Sequence, residues 1–353
     1  MSADALFCWC RAGFEPELAA ELSERAADAG LPGYARTERG SGYVEFLGND
    51  AAALSRALPF SQLIFARQKL LRIADLRGLD PRDRITPILA ALESAGMQTT
   101  YGELWVEHPD SDAGKPLAGL ARSFGNALRP ALRKAGWLSR HDDPARPRLH
   151  VIFLDGDHAV LARGDARDSS AWPMGIMRLR MHADAPSRSA LKLEEALFTL
   201  IEDDEREKLL REDMRAADLG AAPGGWTWVL MRNGLRVIAI DNGPLRPALL
   251  ESGRVEHLRA DGFQWQPKVP LDWMVCDMVE QPRRVAERMA TWLREGWCRH
   301  TIFNLKLPMK KRWEETRLCL DLFERQVQRP LVLRARQLYH DREEITVFAT
   351  VPK

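Results

Sequence analysis

Apolar residues recur along this chain in two rhythms. In the first half, short apolar or alternating runs read as strands: ALFCWC at 5–10, GYVEF at 42–46, LIFARQ at 63–68, GELWVE at 102–107 and RLHVIFL at 148–154. Helical spacing occupies the stretches between them, at about 15–29, 50–57, 83–96 and 117–136. The pattern predicts an α+β or α/β module with no catalytic constellation of its own. Residues 164–187, GDARDSSAWPMGIMRLRMHADAPS, are rich in turn formers and hold no sustained period. They mark the connection between domains, giving a first region over 1–165, a linker over 166–186 and a second domain over 187–353.

Beyond that connection the order changes. MRAADL, LRVIAID, RVEHLRAD, LDWMVCDM and HTIFNLKL are each followed by a turn and then mostly helical sequence. Such alternation predicts an α/β, Rossmann-like domain with a mostly parallel sheet, helices on both faces and a ligand crevice at the carboxyl ends of the strands. Acids mark those ends: Asp218 within the first strand, then Asp241, Asp261 and Asp277. Four acids facing one crevice form a polar rim around a ligand.

Composition narrows this without redirecting it. With 353 residues, 45% of them hydrophobic, the chain is long enough for two or three cores. Five cysteines, an odd number with no C-x-x-C pair, argue against a disulfide framework and a zinc site, so no metal is expected. Cys8 and Cys10 are expected on one strand face in a core. The amino terminus lacks a signal-peptide pattern and no stretch has the length of a membrane span, which makes a cytoplasmic, soluble protein the expectation. A net charge of +1 does not announce a nucleic-acid binder, so any such contact must come from local basic patches.

The turn after the first strand, DLGAAPGGW, carries the chemistry. A dinucleotide loop needs a second glycine where Ala222 stands, and a P-loop needs Gly-Lys-Ser/Thr after the turn. S-adenosylmethionine, which has no phosphate, suits the loop better, with Asp241 placed to accept from its ribose hydroxyls and Asp261 from its adenine amine. The residues near the fourth strand then select the acceptor atom. DMVE at 277–280 lacks the Asp/Asn-Pro-Pro-aromatic pattern of amino methylation, and Cys276 sits inside an apolar strand rather than beside a proline. Oxygen remains. Lys192, Asp277, Lys306 and Glu344 all fall on elements that can converge at the crevice. A lysine whose ammonium form is destabilised by a second cation can accept the proton of a ribose 2′-hydroxyl.

DLGAAPGGW together with Lys192, Asp277, Lys306 and Glu344 resembles the Lys-Asp-Lys-Glu tetrad of the FtsJ-type ribose 2′-O-methyltransferases. LPFSQLIFARQ, DRITPI, DAPSRSALKLEEA, WMVCDMVE, FNLKLPMKKR and ARQLYHDREE resemble, over nearly the whole chain, the members of that group that act on bacterial large-subunit ribosomal RNA. The resemblance implies a cytidine target in 23S ribosomal RNA near the peptidyl transferase region, and an amino-terminal RNA-binding region containing a THUMP domain. It implies Lys306 as proton acceptor, Lys192 and Asp277 beside it, and Glu344, rather than the adjacent Glu343, completing the tetrad. Cofactor contacts fall to Ser189, Ala222, Pro223, Gly224, Gly225, Asp241, Asp261 and Asp277, with Ala222 contributing backbone. Trp226 and Trp228 stand where the wider family often has smaller polar residues, which points to a differently shaped pocket mouth.

RNA must also be gripped. Lys310, Lys311 and Arg312 follow the catalytic lysine and are expected on phosphates, while Arg122, Arg129, Arg133 and Lys134 form a basic stripe at helical spacing in the first half. The expected partner is ribosomal RNA, with no DNA and no membrane, for a monomeric enzyme. Two rivals come from other classes: an RNA-binding ribosome assembly factor that keeps the methyltransferase fold without transfer activity, against which the intact Lys306 and Asp277 argue, and a nucleotide-dependent oxidoreductase, against which the missing glycine argues.

Overall fold

The computed structural model describes residues 5–96 and 99–352. The chain divides into two compact units, residues 1–177 and 178–353.

In the first unit the elements run β1 (Ala5–Trp9), α1 (Glu15–Asp28), β2 (Gly33–Arg36), β3 (Tyr43–Gly48), α2 (Ala51–Ala57), β4 (Gln68–Leu76), α3 (Ile85–Ser94), β5 (Glu103–Glu107), α4 (Ala118–Lys134), β6 (Arg148–Asp155) and β7 (His158–Gly164). They build one seven-stranded sheet in the order β2-β3-β1-β4-β7-β6-β5. Only β5 and β6 pair in parallel; the other neighbours are antiparallel. Cys8 and Cys10 are buried, as the apolar run around them requires.

The expected strand over 63–68 is not one. Leu63, Phe65 and Ala66 are fully buried, yet the strand begins only at Gln68. The carboxylate of the buried Glu21 accepts from the backbone N–H of Ile64 at 2.8 Å and of Phe65 at 2.9 Å. A side chain thus satisfies donors that a ladder would otherwise take, and burial without a ladder leaves the same apolar signature in the sequence. β2 and β7 were not anticipated either; β2 is short and largely exposed, so it carries little pattern.

In the second unit the order is α5 (Ala190–Thr199), α6 (Asp203–Leu209), β8 (Arg215–Leu219), α7 (Gly225–Arg232), β9 (Arg236–Ile240), α8 (Pro247–Glu251), β10 (Val255–Leu258), β11 (Trp273–Cys276), α9 (Pro282–Arg294), β12 (His300–Lys306), α10 (Arg312–Val327), β13 (Val332–Arg336) and β14 (Glu344–Thr350). The sheet runs β10-β9-β8-β11-β12-β14-β13 and is mixed. β10, β9, β8, β11 and β12 pair in parallel, while β14 and β13 close the far edge antiparallel. This is the class I methyltransferase-like α/β fold. The chain leaves β8 toward one side and returns to β11 on the other, so a crevice opens at their carboxyl ends.

Packing explains where the helices sit. Leu193, Ala196 and Leu197 of α5 join Val229 and Leu230 of α7, with Val237, Trp273 and Phe348 of the sheet, in one buried cluster. Trp226 and Trp228, each 3% exposed, belong to that core rather than to a pocket mouth. The indole N–H of Trp226 donates to the Ser189 carbonyl at 3.0 Å, tying the start of α5 to α7. Gly225 makes this docking possible, because a Cβ there would meet the Ser189 hydroxyl oxygen at 2.3 Å and that of Ser187 at 2.5 Å. Among the described residues no helix is long and apolar enough to cross a membrane.

Candidate active site

The turn after β8 is shaped by what its glycines omit. Gly220 has φ +77° and a Cβ on it would strike Met278 Cγ at 2.4 Å; Gly224 has φ +113° and a Cβ would strike Leu249 Cδ1 at 2.2 Å. Both positions demand a left-handed backbone and a bare Cα. The Ala222–Pro223 peptide between them is cis. Asp241, immediately after β9, braces the loop: its carboxylate accepts from Ala222 N at 2.9 Å and Gly243 N at 2.7 Å. Pro223 is exposed and Ala222 half-buried beside it. Asp261 is exposed beyond β10, accepting from Phe263 N at 2.8 Å. The Ser189 hydroxyl lies 2.7 Å from that of Ser187 at the head of α5.

The four strand-end acids do not share one setting. Asp218 is 1% exposed, takes a 2.6 Å hydrogen bond from the Thr227 hydroxyl, and lies within the fold rather than on a rim. Burial pushes its carboxyl up to about 7, and the nearby charges of Asp277 and Asp241 push the same way, against hydrogen bonds from Thr227. Sequence alternation could not show this, because whether a strand-end side chain faces water depends on the turn folded over it.

Lys192, Asp277, Lys306 and Glu344 come together in a ring of alternating charge. Lys306 Nζ donates to Asp277 Oδ1 at 2.5 Å and to Glu344 Oε2, while Lys192 Nζ lies 3.1 Å from Asp277 Oδ2 and 2.5 Å from Glu344 Oε1. Each ammonium therefore touches both carboxylates. The antiparallel pairing of β12 with β14 sets Lys306 directly opposite Glu344 and Asn304 opposite Thr346. Because alternate residues of a strand face opposite ways, Glu343 cannot join the ring. It is exposed, and its carboxylate pairs with Arg312.

Residues that the sequence reading did not single out complete the surroundings. Asn304, fully buried, donates to Asp277 Oδ1 at 2.9 Å and accepts from the Thr346 hydroxyl at 2.8 Å. The Thr346 hydroxyl also reaches the buried Asp341, whose carboxyl burial raises well above its ordinary value. Glu195, one turn along α5 from Lys192, accepts from the backbone N–H groups of Tyr339 and His340 at 2.8 and 2.9 Å, holding the segment that leads into Glu344. A polar Asn between Phe303 and Leu305 in an apolar strand was the available signal.

The ring's electrostatics correct one expectation. Burial alone pushes the Asp277 carboxyl up, but Lys306 and Lys192 outweigh it and hold the group below the ordinary carboxylate range. Burial likewise disfavours the Lys306 ammonium, yet Asp277 and Glu344 more than offset that and raise its proton affinity above an ordinary lysine's. The second lysine does not destabilise the first here, since two carboxylates lie between them. Before substrates arrive, Lys306 is a held ammonium. Cys276 is buried with its thiol pushed up to about 12, chiefly by burial, which is unsuited to nucleophilic attack.

The basic patches are partly consumed within the fold. Arg312 is claimed by Glu343, and Lys311 Nζ lies 3.1 Å from Glu314, leaving the exposed Lys310 beside them. On α4, Arg129 and Arg133 both reach Asp142, at 3.4 and 3.2 Å, and both also donate to backbone carbonyls. They brace the end of their own helix, and Arg122 and Lys134 remain on its exposed face. Among the described residues no group of three or more His, Cys, Asp and Glu has the geometry of a metal site.

Comparison with known proteins decides the lineage. A model of the FtsJ-like methyltransferases matches residues 185–327. The RlmM ferredoxin-like domain matches residues 3–70, and the N-terminal region of ribosomal RNA large subunit methyltransferase M matches 83–164. The protein of that name from Xanthomonas oryzae pv. oryzae is 70% identical over 344 residues, 98% of each chain. The chain belongs to the ribosomal RNA large subunit methyltransferase M (RlmM) family. Its namesake in Xanthomonas campestris pv. campestris is also 70% identical over 98% of each chain. Among solved structures, TrmN from Thermus thermophilus aligns over 99% of each chain at 16% identity with a TM-score of 0.37, too remote to carry any residue across. The RlmM models divide the first unit's sequence between residues 70 and 83, a division that the single sheet running from β2 to β5 does not display.

Proposed function

We propose that this member of the RlmM family transfers a methyl group from S-adenosylmethionine to the ribose 2′-hydroxyl of a cytidine in 23S ribosomal RNA, with Lys306 as proton acceptor. The observation that carries the reading is the Lys192-Asp277-Lys306-Glu344 ring, at the crevice of an FtsJ-like domain and beside a glycine turn without a phosphate-binding lysine.

The crevice suits a cationic sulfonium ligand. Asp241, Asp261 and Asp277 stand at its strand ends, and no Lys or Arg lies in the turn from Gly220 to Gly225. A polyphosphate is repelled by the same carboxylates. Both oxygens of Asp241 accept one backbone N–H, and each retains a lone pair for a ribose hydroxyl. Ser189, Ala222, Pro223, Gly224 and Gly225 border the same turn and would hold the amino-acid end. When bound, S-adenosylmethionine supplies an electrophilic methyl carbon.

The remaining work belongs to the chain. Asp277 and Glu344 fix the Lys306 ammonium to within a narrow arc, and Lys306 directs an N–H at the incoming ribose oxygen. Lys306 then takes the hydroxyl proton in its neutral form, so it must first release its own. Asp277 and Glu344 hold that proton in the free enzyme, so its release is the costly step that substrate binding must favour. Alignment of oxygen, carbon and sulfur supplies much of the acceleration. The first unit, with the THUMP domain that the family resemblance implies within residues 1–165, serves as the RNA-recognition module.

The test is transfer of a radiolabelled methyl group to 23S ribosomal RNA from a strain lacking the enzyme, followed by mapping of the product. One ribose-methylated cytidine is expected. A methyl group on a base, or binding of RNA without transfer, would replace this reading with base methylation or with the assembly-factor role.

A further inference from the structure

Among the described residues, the two most exposed large apolar side chains are Val279, at 90%, and Met309, at 76%. Single exposed apolar residues are ordinary on protein surfaces. These two, however, lie in the loops leaving adjacent parallel strands, β11 and β12, two residues past Asp277 and three past Lys306. A chain spans at most about 3.6 Å per residue, so their Cα atoms lie within roughly 7 and 11 Å of those of Asp277 and Lys306. They stand at one mouth, that of the charged ring.

Both loops are pinned. Asp277 is held by Lys192, Lys306 and Asn304, and the next residue, Met278, turns its side chain inward against Gly220 and Gly262. Beyond Val279, Glu280 pairs with Arg284 at 2.7 Å as α9 begins. On the other side, Leu307 N donates to the Glu343 carbonyl at 2.7 Å and Arg312 binds the Glu343 carboxylate, closing both ends of the segment that carries Met309. Exposure here does not come from a slack loop. Two apolar groups are presented to solvent from fixed positions.

We propose that Val279 and Met309 form an apolar clamp for the base of the nucleotide whose ribose enters the ring. This rests on the functional reading above and extends it to how the nucleotide is held. A nucleobase offers flat, weakly polar faces and carries its ribose at a fixed distance. The Met309 thioether is polarizable and adapts to a ring face, while branched, stiff Val279 makes a wall. Exposed Lys310 and Lys311 follow Met309 directly and match the phosphates on either side of a base turned out of its stack. Neither clamp side chain donates a hydrogen bond, and the Met309 sulfur accepts only weakly, so the clamp orients a base without choosing among bases. Its contribution is to position the 2′-hydroxyl against Lys306.

The experiment compares wild type, Val279→Ser, Met309→Ser and the double variant on two 23S ribosomal RNA transcripts. One is intact; the other has an abasic ribose, with its 2′-hydroxyl kept, at the nucleotide that wild type methylates. On intact RNA the double variant should raise KM about tenfold, with S-adenosylmethionine affinity unchanged by calorimetry. Its salt dependence of RNA binding should match wild type, whereas Lys310→Ala with Lys311→Ala should flatten that dependence. On abasic RNA wild type should lose what the variants lose on intact RNA, and the variants should lose nothing further. Equal penalties on the two RNAs, wild-type kinetics on intact RNA, or a defect seen only with ribosomal particles and so pointing to a protein partner, would each overturn the clamp. If wild type methylates no ribose in either RNA, the functional reading itself fails, a result distinct from all of these.

Discussion

Both units bury carboxylates, and two kinds can be told apart among them. In the first, Glu21 accepts from Arg25 and from two backbone N–H groups, Glu15 accepts from Gly13 N and Gly42 N, and Glu107 accepts from Met174 N and faces His150 at 2.8 Å. In the second, Asp277 and Glu344 face two ammonium groups at the end of a sheet. A carboxylate bound to backbone replaces missing ladder bonds and holds a loop in place. One bound to ammonium groups at a crevice sets their protonation and direction. Burial is common to both; the partner decides whether the group serves folding or chemistry.

Breaking the second kind of site should cost activity before stability. Lys306→Ala removes the proposed acceptor, and general-base losses run to about 10²–10⁴-fold, so methyl transfer should fall by roughly 10³-fold. Cofactor affinity measured by calorimetry should stay close to wild type, since the amine acts in the transition state. Affinity lost in step with rate would make Lys306 a binding residue instead.

The pH profile sharpens the same point. Asp277 and Glu344 outweigh burial and hold the Lys306 proton above the ordinary lysine range, so the reactive neutral amine is the minor form at neutral pH. Below that value the amine fraction, and with it kcat/KM, should rise by about tenfold per pH unit. A profile flat from about pH 6 to 9 would exclude the free-enzyme amine as acceptor. The linked stability has the opposite direction. The ring's contribution through Lys306 is complete below the unfolded lysine pKa and is lost as pH rises through the higher folded value. The Asp277 contribution is present above the unfolded carboxylate pKa and is lost as pH falls through its depressed folded value.

Breaking the first kind should do the reverse. Glu21→Ala strands the N–H groups of Ile64 and Phe65 in a buried loop, at about 1–3 kcal/mol each, so the first unit should lose roughly 3 kcal/mol. Chemical denaturation reads the loss, and S-adenosylmethionine affinity in the second unit should not change. Asp241 combines the two kinds, bracing backbone at the proposed cofactor site. Asp241→Ala should weaken cofactor binding by about 1.5 kcal/mol, roughly tenfold, through loss of a charged acceptor. Unchanged affinity would remove Asp241 from the ribose contact. The smallest effect is reserved for the glutamate beside the ring: Glu343→Gln takes the charge, but not the acceptor, from a pair in which the glutamate is half exposed and Arg312 largely covered, and should change kcat by less than about twofold. Glu344→Gln, which takes charge from both lysines, should cost far more, and equal losses from the two would contradict the facing set by β14.

Much of the second unit was legible because its apolar runs are long, regular and punctuated by turn residues, and because local chemistry constrains its glycine turn. Glycines at 220 and 224, an acid about 20 residues on, and the absence of a second dinucleotide glycine are properties of neighbouring residues, and they survive in one dimension. The first unit was less readable: buried but unladdered residues at 63–67 mimic a strand, and an exposed edge strand at 33–36 leaves almost no pattern. Whether Glu343 or Glu344 faces Lys306 depends on strand register across 38 residues of chain, and register is a tertiary quantity. So is the protonation of the ring. Charge alone suggested that a second lysine would weaken the hold of Lys306 on its proton, but for Lys306 the direction reversed once folding set a carboxylate pair beside it. Local sequence specifies which groups a segment can offer, and only packing determines distance, exposure and partner, the three quantities on which electrostatic energy depends.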